Sequence, residues 1–192
     1  MAKKKNENSN PIGKVRRSIW FVLRAVLLVS LLLGLAFGVF TEAMYVMNMY
    51  IVTTEGMGLR AETVLKNDSK NELVQYFTPE FIASDELLSS GAYLNFNVES
   101  YDYRYTLKGF SVLPWSSVGS IGYIERIPSI NATPISDEVQ GHAPAWTPMH
   151  YKVNLKKVEG RWLIDSLTVV EENPPEEAYP TPDYSQLEGN GQ

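Results

Sequence analysis

Cysteine is absent, and histidine occurs only twice, at His142 and His150. The first absence excludes disulfides, thiolate metal sites, cysteine nucleophiles and a lipid-modified cysteine at the membrane. Two histidines across a proline-rich stretch offer no set of converging ligands, so no metal is expected. The chain also lacks an H-E-x-x-H pair, a phosphate-cradling glycine loop and a nucleophile elbow, and no cofactor is expected. Beyond residue 24 positive charge is scarce: ten basic residues face 21 acidic ones, a net of -11. Nucleic-acid binding needs a basic patch that this part does not supply.

One long apolar run is present. Residues 19–40, IWFVLRAVLLVSLLLGLAFGVF, carry a single charge, Arg24. As a helix they reach about 33 Å, enough for a hydrocarbon core of roughly 30 Å. Residues 1–24 hold seven basic residues against Glu7, a net of +6. Basic flanks stay cytoplasmic, so the expectation is a single-pass cell-membrane protein with its N-terminus inside and the remainder extracytoplasmic. Arg24 is placed to snorkel towards the headgroups beside Arg16 and Arg17. A signal peptide is the competing reading. The run is long for one, Arg24 divides it, and the nearest loose small-residue site is around Ala43.

The expected organisation is a basic cytoplasmic tail (1–18), a transmembrane helix (19–40), an extracytoplasmic domain (41–171) and an acidic, proline-rich disordered tail (172–192). Pro11 and Gly13 act as breakers in the first tail. Within the span, Ser30, Gly34 and Gly38 share one face and suit close pairing with another helix. Partners on this reading are the bilayer and membrane or envelope proteins, a second copy among them. Met44, Met49 and Met57 are candidate contact residues, in a helical pattern interrupted by Gly56 and Gly58. The sequons at Asn67 and Asn131 matter only in a glycosylating host.

Ser69 with Glu72 and Thr78-Pro79-Glu80 are helix start signals, with a stop near Leu88. From Tyr93 the pattern has period two, with Tyr101, Tyr103 and Tyr105 on one face. Residues 118–127 are a further strand candidate. Four prolines between Pro128 and Pro148 leave a long loop or a loosely paired edge. Tyr151, Val153 and Leu155 alternate with Lys152, Asn154 and Lys156, Glu159-Gly160 turns, and RWLIDSLTVV returns. Its apolar residues fall on both faces, so either both are covered or a bulge shifts the register.

Helical segments followed by antiparallel strands make an α+β pattern. LVQYFTPEFIAS resembles the short second helical region of nuclear-transport-factor-like (NTF2-like) domains. YKVNLKKVEGRWLIDSL resembles their closing hairpin through Gly160, Trp162, Ile164, Asp165, Ser166 and Leu167. Leu163 departs from the usual polar residue and is therefore a candidate interface position. The resemblance implies a cone-shaped domain, helices packed on a curved antiparallel sheet, in a family of isomerases, dehydratases, ligand binders and non-catalytic assembly domains. A single span ahead of such a domain resembles the envelope scaffold proteins of bacterial conjugation and type IV secretion.

The expected function is therefore that of a non-catalytic, membrane-anchored envelope scaffold or assembly component. One alternative is an anchored small-ligand binder or isomerase-like enzyme, with Asp102, Tyr103 and His150 in its pocket. Another is a subunit of a sporulation or cell-wall complex. A cavity of about 300 Å³ or more with converging polar groups favours the ligand reading, and an interior plugged by apolar side chains favours assembly.

Overall fold

The computed structural model describes residues 11–113, 115–136 and 141–176. Most of both expected tails, and Asp137 and Glu138 in the proline-rich loop, lie outside them. A single helix, α1 (Pro11–Lys66), runs unbroken for 56 residues. Its first described residue, Pro11, already lies inside the expected tail. Its apolar stretch is bare: none of its most apolar window is buried, and residues such as Phe21, Leu33 and Phe37 are exposed. A soluble core helix would be covered. This helix has the length and apolarity of a membrane span or a signal segment.

Beyond the apolar stretch the same helix becomes the core of the folded part. Met49, Thr53, Met57, Arg60, Ala61, Val64 and Leu65 recur at helical spacing and are all buried. Gly56 does not interrupt it. A side chain there would put Cβ 2.8 Å from Tyr76 Cβ, so this glycine marks a close approach. The helix ends where Asn67 turns left-handed at φ 55° and Asp68 donates back to the Thr63 carbonyl at 3.2 Å.

Ser69 starts a 3₁₀ helix, Lys70–Gln75. Thr78 caps α2 (Pro79–Ser84) through the Phe81 N–H, and Asp85 caps α3 (Glu86–Ser89) through the Leu88 N–H. Six strands follow: β1 (Phe96–Tyr101), β2 (Arg104–Val112), β3 (Val118–Arg126), β4 (Ile130–Pro134), β5 (Met149–Val158) and β6 (Arg161–Glu172). They form two antiparallel sheets, one of β1 and β4 and one in the order β2-β3-β5-β6.

The NTF2-like cone is not what these strands build. A cone needs a continuous, strongly curled sheet closed around its helices, whereas here the strands form two separate sheets, open and uncurled. The ladder breaks at Asp102 and Tyr103, so β1 leaves with β4 and β2 becomes an edge. At the other edge β6 meets Phe77 and Thr78: Thr78 N–H donates to the Ile164 carbonyl at 2.9 Å, and Ile164 N–H donates to the Tyr76 carbonyl at 2.7 Å. The two segments that carried the resemblance are this docked turn and the β5–β6 hairpin, local units that do not imply the family. The envelope-scaffold identity drawn from that family falls with it. What stands is a small α+β domain behind one apolar helix.

The β5–β6 hairpin follows its pattern, with Tyr151, Val153 and Leu155 inside. In β6 the register slips opposite Asn154 and Leu155, so Asp165 is the extra residue of a bulge. Trp162, Leu163 and Ile164 precede the bulge in regular register, so Leu163 lies on the opposite face from the other two, and all three are buried: both faces are covered there.

Candidate functional site

Period two along β3 puts Ile121, Tyr123 and Glu125 on the face that meets α1, so a carboxylate lands among apolar neighbours. Glu125 is completely buried, and neither of its oxygens has a hydrogen-bond partner. Its nearest cation is Arg60 of α1, with Nη1 3.8 Å from Oε2. Arg60 is itself buried and gives its Nε and Nη2 to Asp85 Oδ2, each at 2.9 Å. Burial drives the Glu125 carboxyl up to about 7, opposed by the Arg60 guanidinium. Burial also acts to lower Arg60, but the Glu125 and Asp85 carboxylates outweigh it and hold it above its ordinary value.

Beside this pair, the Tyr103 and Tyr123 hydroxyls are 2.8 Å apart. Burial raises both well above the ordinary phenol value, so they remain protonated donors. Tyr151, across the ladder from Tyr123, is also raised by burial. The cluster pairs one cation with two carboxylates, with a tyrosine pair alongside.

One concavity opens beside this cluster and another lies apart from it, along the apolar part of α1. A cleft of about 500 Å³ opens where Arg60 meets Asp85, walled by Tyr93, Trp146, Met149 and Tyr151. Tyr93 donates its hydroxyl to the Pro144 carbonyl at 2.9 Å, which ties the proline-rich segment over it. An apolar groove of about 810 Å³ runs along α1, bounded by Gly34, Gly38, Glu42, Val46, Tyr50 and, from β2, Phe110.

The residues singled out in the sequence are dispersed. Asp102 is at the surface and accepts from Arg104 Nε and Nη2 at 2.9 and 2.6 Å. Tyr103 belongs to the buried cluster. His150 pairs with Ile124, one step out of phase with Tyr123 and Glu125, and so belongs to the opposite face of the sheet. Met49 and Met57 are fully buried in the core and Leu163 is buried in the domain, while Met44 is half exposed. Gly34 and Gly38 are open, with nothing within 4 Å of a built Cβ.

Arg60, Asp85, Glu125 and Trp146 were not singled out from sequence. For Glu125 a signal existed, a charge in phase with Ile121 and Tyr123. Arg60 likewise interrupts the Met57, Ala61, Val64 stripe. Among the described residues no group of three or more His, Asp or Glu is placed to hold a metal ion. No protein-family model, curated protein or solved structure matches the chain.

Proposed function

We propose that the protein is a non-catalytic, membrane-anchored assembly component that pairs through α1 with a helix of a neighbouring membrane protein. The observation that carries this reading is the groove bounded by Gly34, Gly38, Val46 and Phe110. It joins the small-residue face of the apolar helix to the folded part, so a partner helix seated there touches both. Small residues four apart let helix backbones approach closely, and packing of this kind drives association in lipid. The unbroken helix adds a second argument, because a domain on a rigid stalk presents its surfaces at a fixed height. The +6 flank and the -11 remainder favour the N-terminus inside and the domain outside.

The test is co-purification of full-length protein in mild detergent, wild type beside Gly34→Ile and Gly38→Ile. A stoichiometric membrane protein that is lost from both variants, while the variants stay in the membrane fraction, supports the reading. A wild-type monomer, or a partner retained equally by all three, contradicts it.

The ligand reading keeps one observation in its favour. The Arg60–Trp146 cleft, at about 500 Å³, falls within the size range of ligand pockets and has Asp85, Tyr93 and Tyr151 in its wall. The interior between α1 and the sheet is filled by Met49, Met57, Phe77 and Ile164, which favours assembly. Native mass spectrometry of the solubilised chain decides between them: a retained small molecule lost in Trp146→Ala establishes the cleft as its site.

A further inference from the structure

We propose that the near end of the four-stranded sheet is a second membrane contact, in which Leu113 and Trp115 sit at the phospholipid headgroup boundary beside the emerging α1. This rests on α1 being a membrane span and goes beyond it. The β2–β3 connection is a built turn: Ser116 N–H donates to the Leu113 carbonyl at 2.9 Å, and Val118 N–H donates to Ser116 Oγ at 3.1 Å. It holds Leu113 at 53%, Trp115 at 81% and Val118 at 60% exposure, the most open apolar residues of that sheet end. No described residue covers them.

Their height is set by α1. Leu113, Ser116 and Val118 share a concavity with Glu42 and Val46, two and six residues past Phe40, where the apolar run stops. At 1.5 Å per residue that is about 3–9 Å beyond the end of the span. The headgroup layer is about 5–8 Å deep on each side of the hydrocarbon core. The β5–β6 tip lies at the same level. Lys157 N–H donates to the Ser117 carbonyl at 2.7 Å, and its ammonium lies 3.2 Å from the Tyr45 hydroxyl and 4.3 Å from that ring's centre.

The chemistry of this end suits phospholipid. Lys152, Lys156, Lys157 and Arg161 gather at this end beside Glu42, Glu159 and Asp165, a small basic excess in a part of the chain that is otherwise strongly acidic. Cations over phosphates, with tryptophan and tyrosine at the boundary, are the usual composition of a membrane interface. The partner helix of the proposed function sits against Gly34, Gly38 and Phe110, and Leu113, Trp115 and Val118 lie outside that groove, exposed at the level of the headgroups.

The absence of cysteine makes the test direct. Full-length Val118→Cys, labelled with the fluorophore NBD, is reconstituted in phosphatidylcholine–phosphatidylglycerol vesicles beside Val74→Cys. Val74 is exposed in the 3₁₀ helix next to Tyr76, whose hydroxyl bonds Glu55 at 2.9 Å, so it sits about 20 Å beyond Phe40. Headgroup nitroxide lipids should quench position 118 several-fold more than position 74, and adding Trp115→Ser should bring 118 towards 74. Equal quenching at the two positions, a blue-shifted 118 that ignores the nitroxide lipids, or no effect of Trp115→Ser overturns the proposal. Alkaline carbonate washing of the same vesicles separates the two failures: release of the chain removes the span itself, whereas retention with an unquenched 118 removes only the sheet contact.

Discussion

Asp85 Oδ2 accepts both Nε and Nη2 of Arg60, 25 residues away, while Asp85 Oδ1 accepts the Leu88 N–H at 2.8 Å. One carboxylate thus starts α3 and neutralises a buried guanidinium. Asp85→Asn keeps an oxygen for the cap and removes the charge, leaving Arg60 with only the more distant Glu125. Breaking a buried pair from one side costs roughly 3–5 kcal/mol. Urea titration of the detergent-solubilised protein should show that loss. A change under about 1 kcal/mol would mean that Arg60 is solvated, not buried.

Glu125 makes stability depend on pH in an unusual direction. Its folded value, about 7, lies above the ordinary 4.5. Between those values the folded chain holds a proton that the unfolded chain has released, so this contribution is fully present below about 4.5 and lost as pH rises through 7. Its size is on the order of 3 kcal/mol. Melting curves from pH 4.5 to 8 should show the decline, flattened in Glu125→Gln. The same slope in the variant would assign the titration to another group.

Two glycines of β3 should respond unequally to alanine. A Cβ at Gly122 would lie 2.2 Å from the Lys108 carbonyl oxygen, which is backbone beside the bulge at Gly109. At Gly119 the nearest atoms belong to the Met49 thioether, 2.6 and 2.9 Å away, which swings more readily. Gly122→Ala is expected to cost about 1–3 kcal/mol by overpacking, and more than Gly119→Ala. The reverse order in denaturant midpoints would contradict this packing.

Trp162 is buried and meets Tyr45 edge-on, with ring centres 5.8 Å apart. Trp162→Ala should cost roughly 3–5 kcal/mol. An unchanged midpoint would move Trp162 from the core to an interface.

Local signals were legible in the residues, and long-range pairing was not. Ser69, Thr78-Pro79 and the Glu159-Gly160 turn each act within a few residues, and the Tyr151–Leu155 alternation reports its own buried face. The break at Asp102 and Tyr103 is different. It depends on β1 finding β4 across the intervening strands, and no local pattern distinguishes that from a continuous curl. Motif likeness in a hairpin therefore suggested a closed cone where the chain makes two open sheets. The site was hidden for a related reason: Arg60 and Glu125 read as ordinary surface charges until α1 and β3 are packed face to face, 65 residues apart in sequence.

The central claim is a span with the folded part outside, and cysteine accessibility tests it most directly. Lys4→Cys and Val74→Cys are probed with a membrane-impermeant maleimide in intact cells and after lysis. The account predicts that position 74 labels in intact cells and position 4 only after lysis, with both chains full length in the membrane fraction. Labelling of position 4 from outside, or a shortened chain in the soluble fraction, would contradict it.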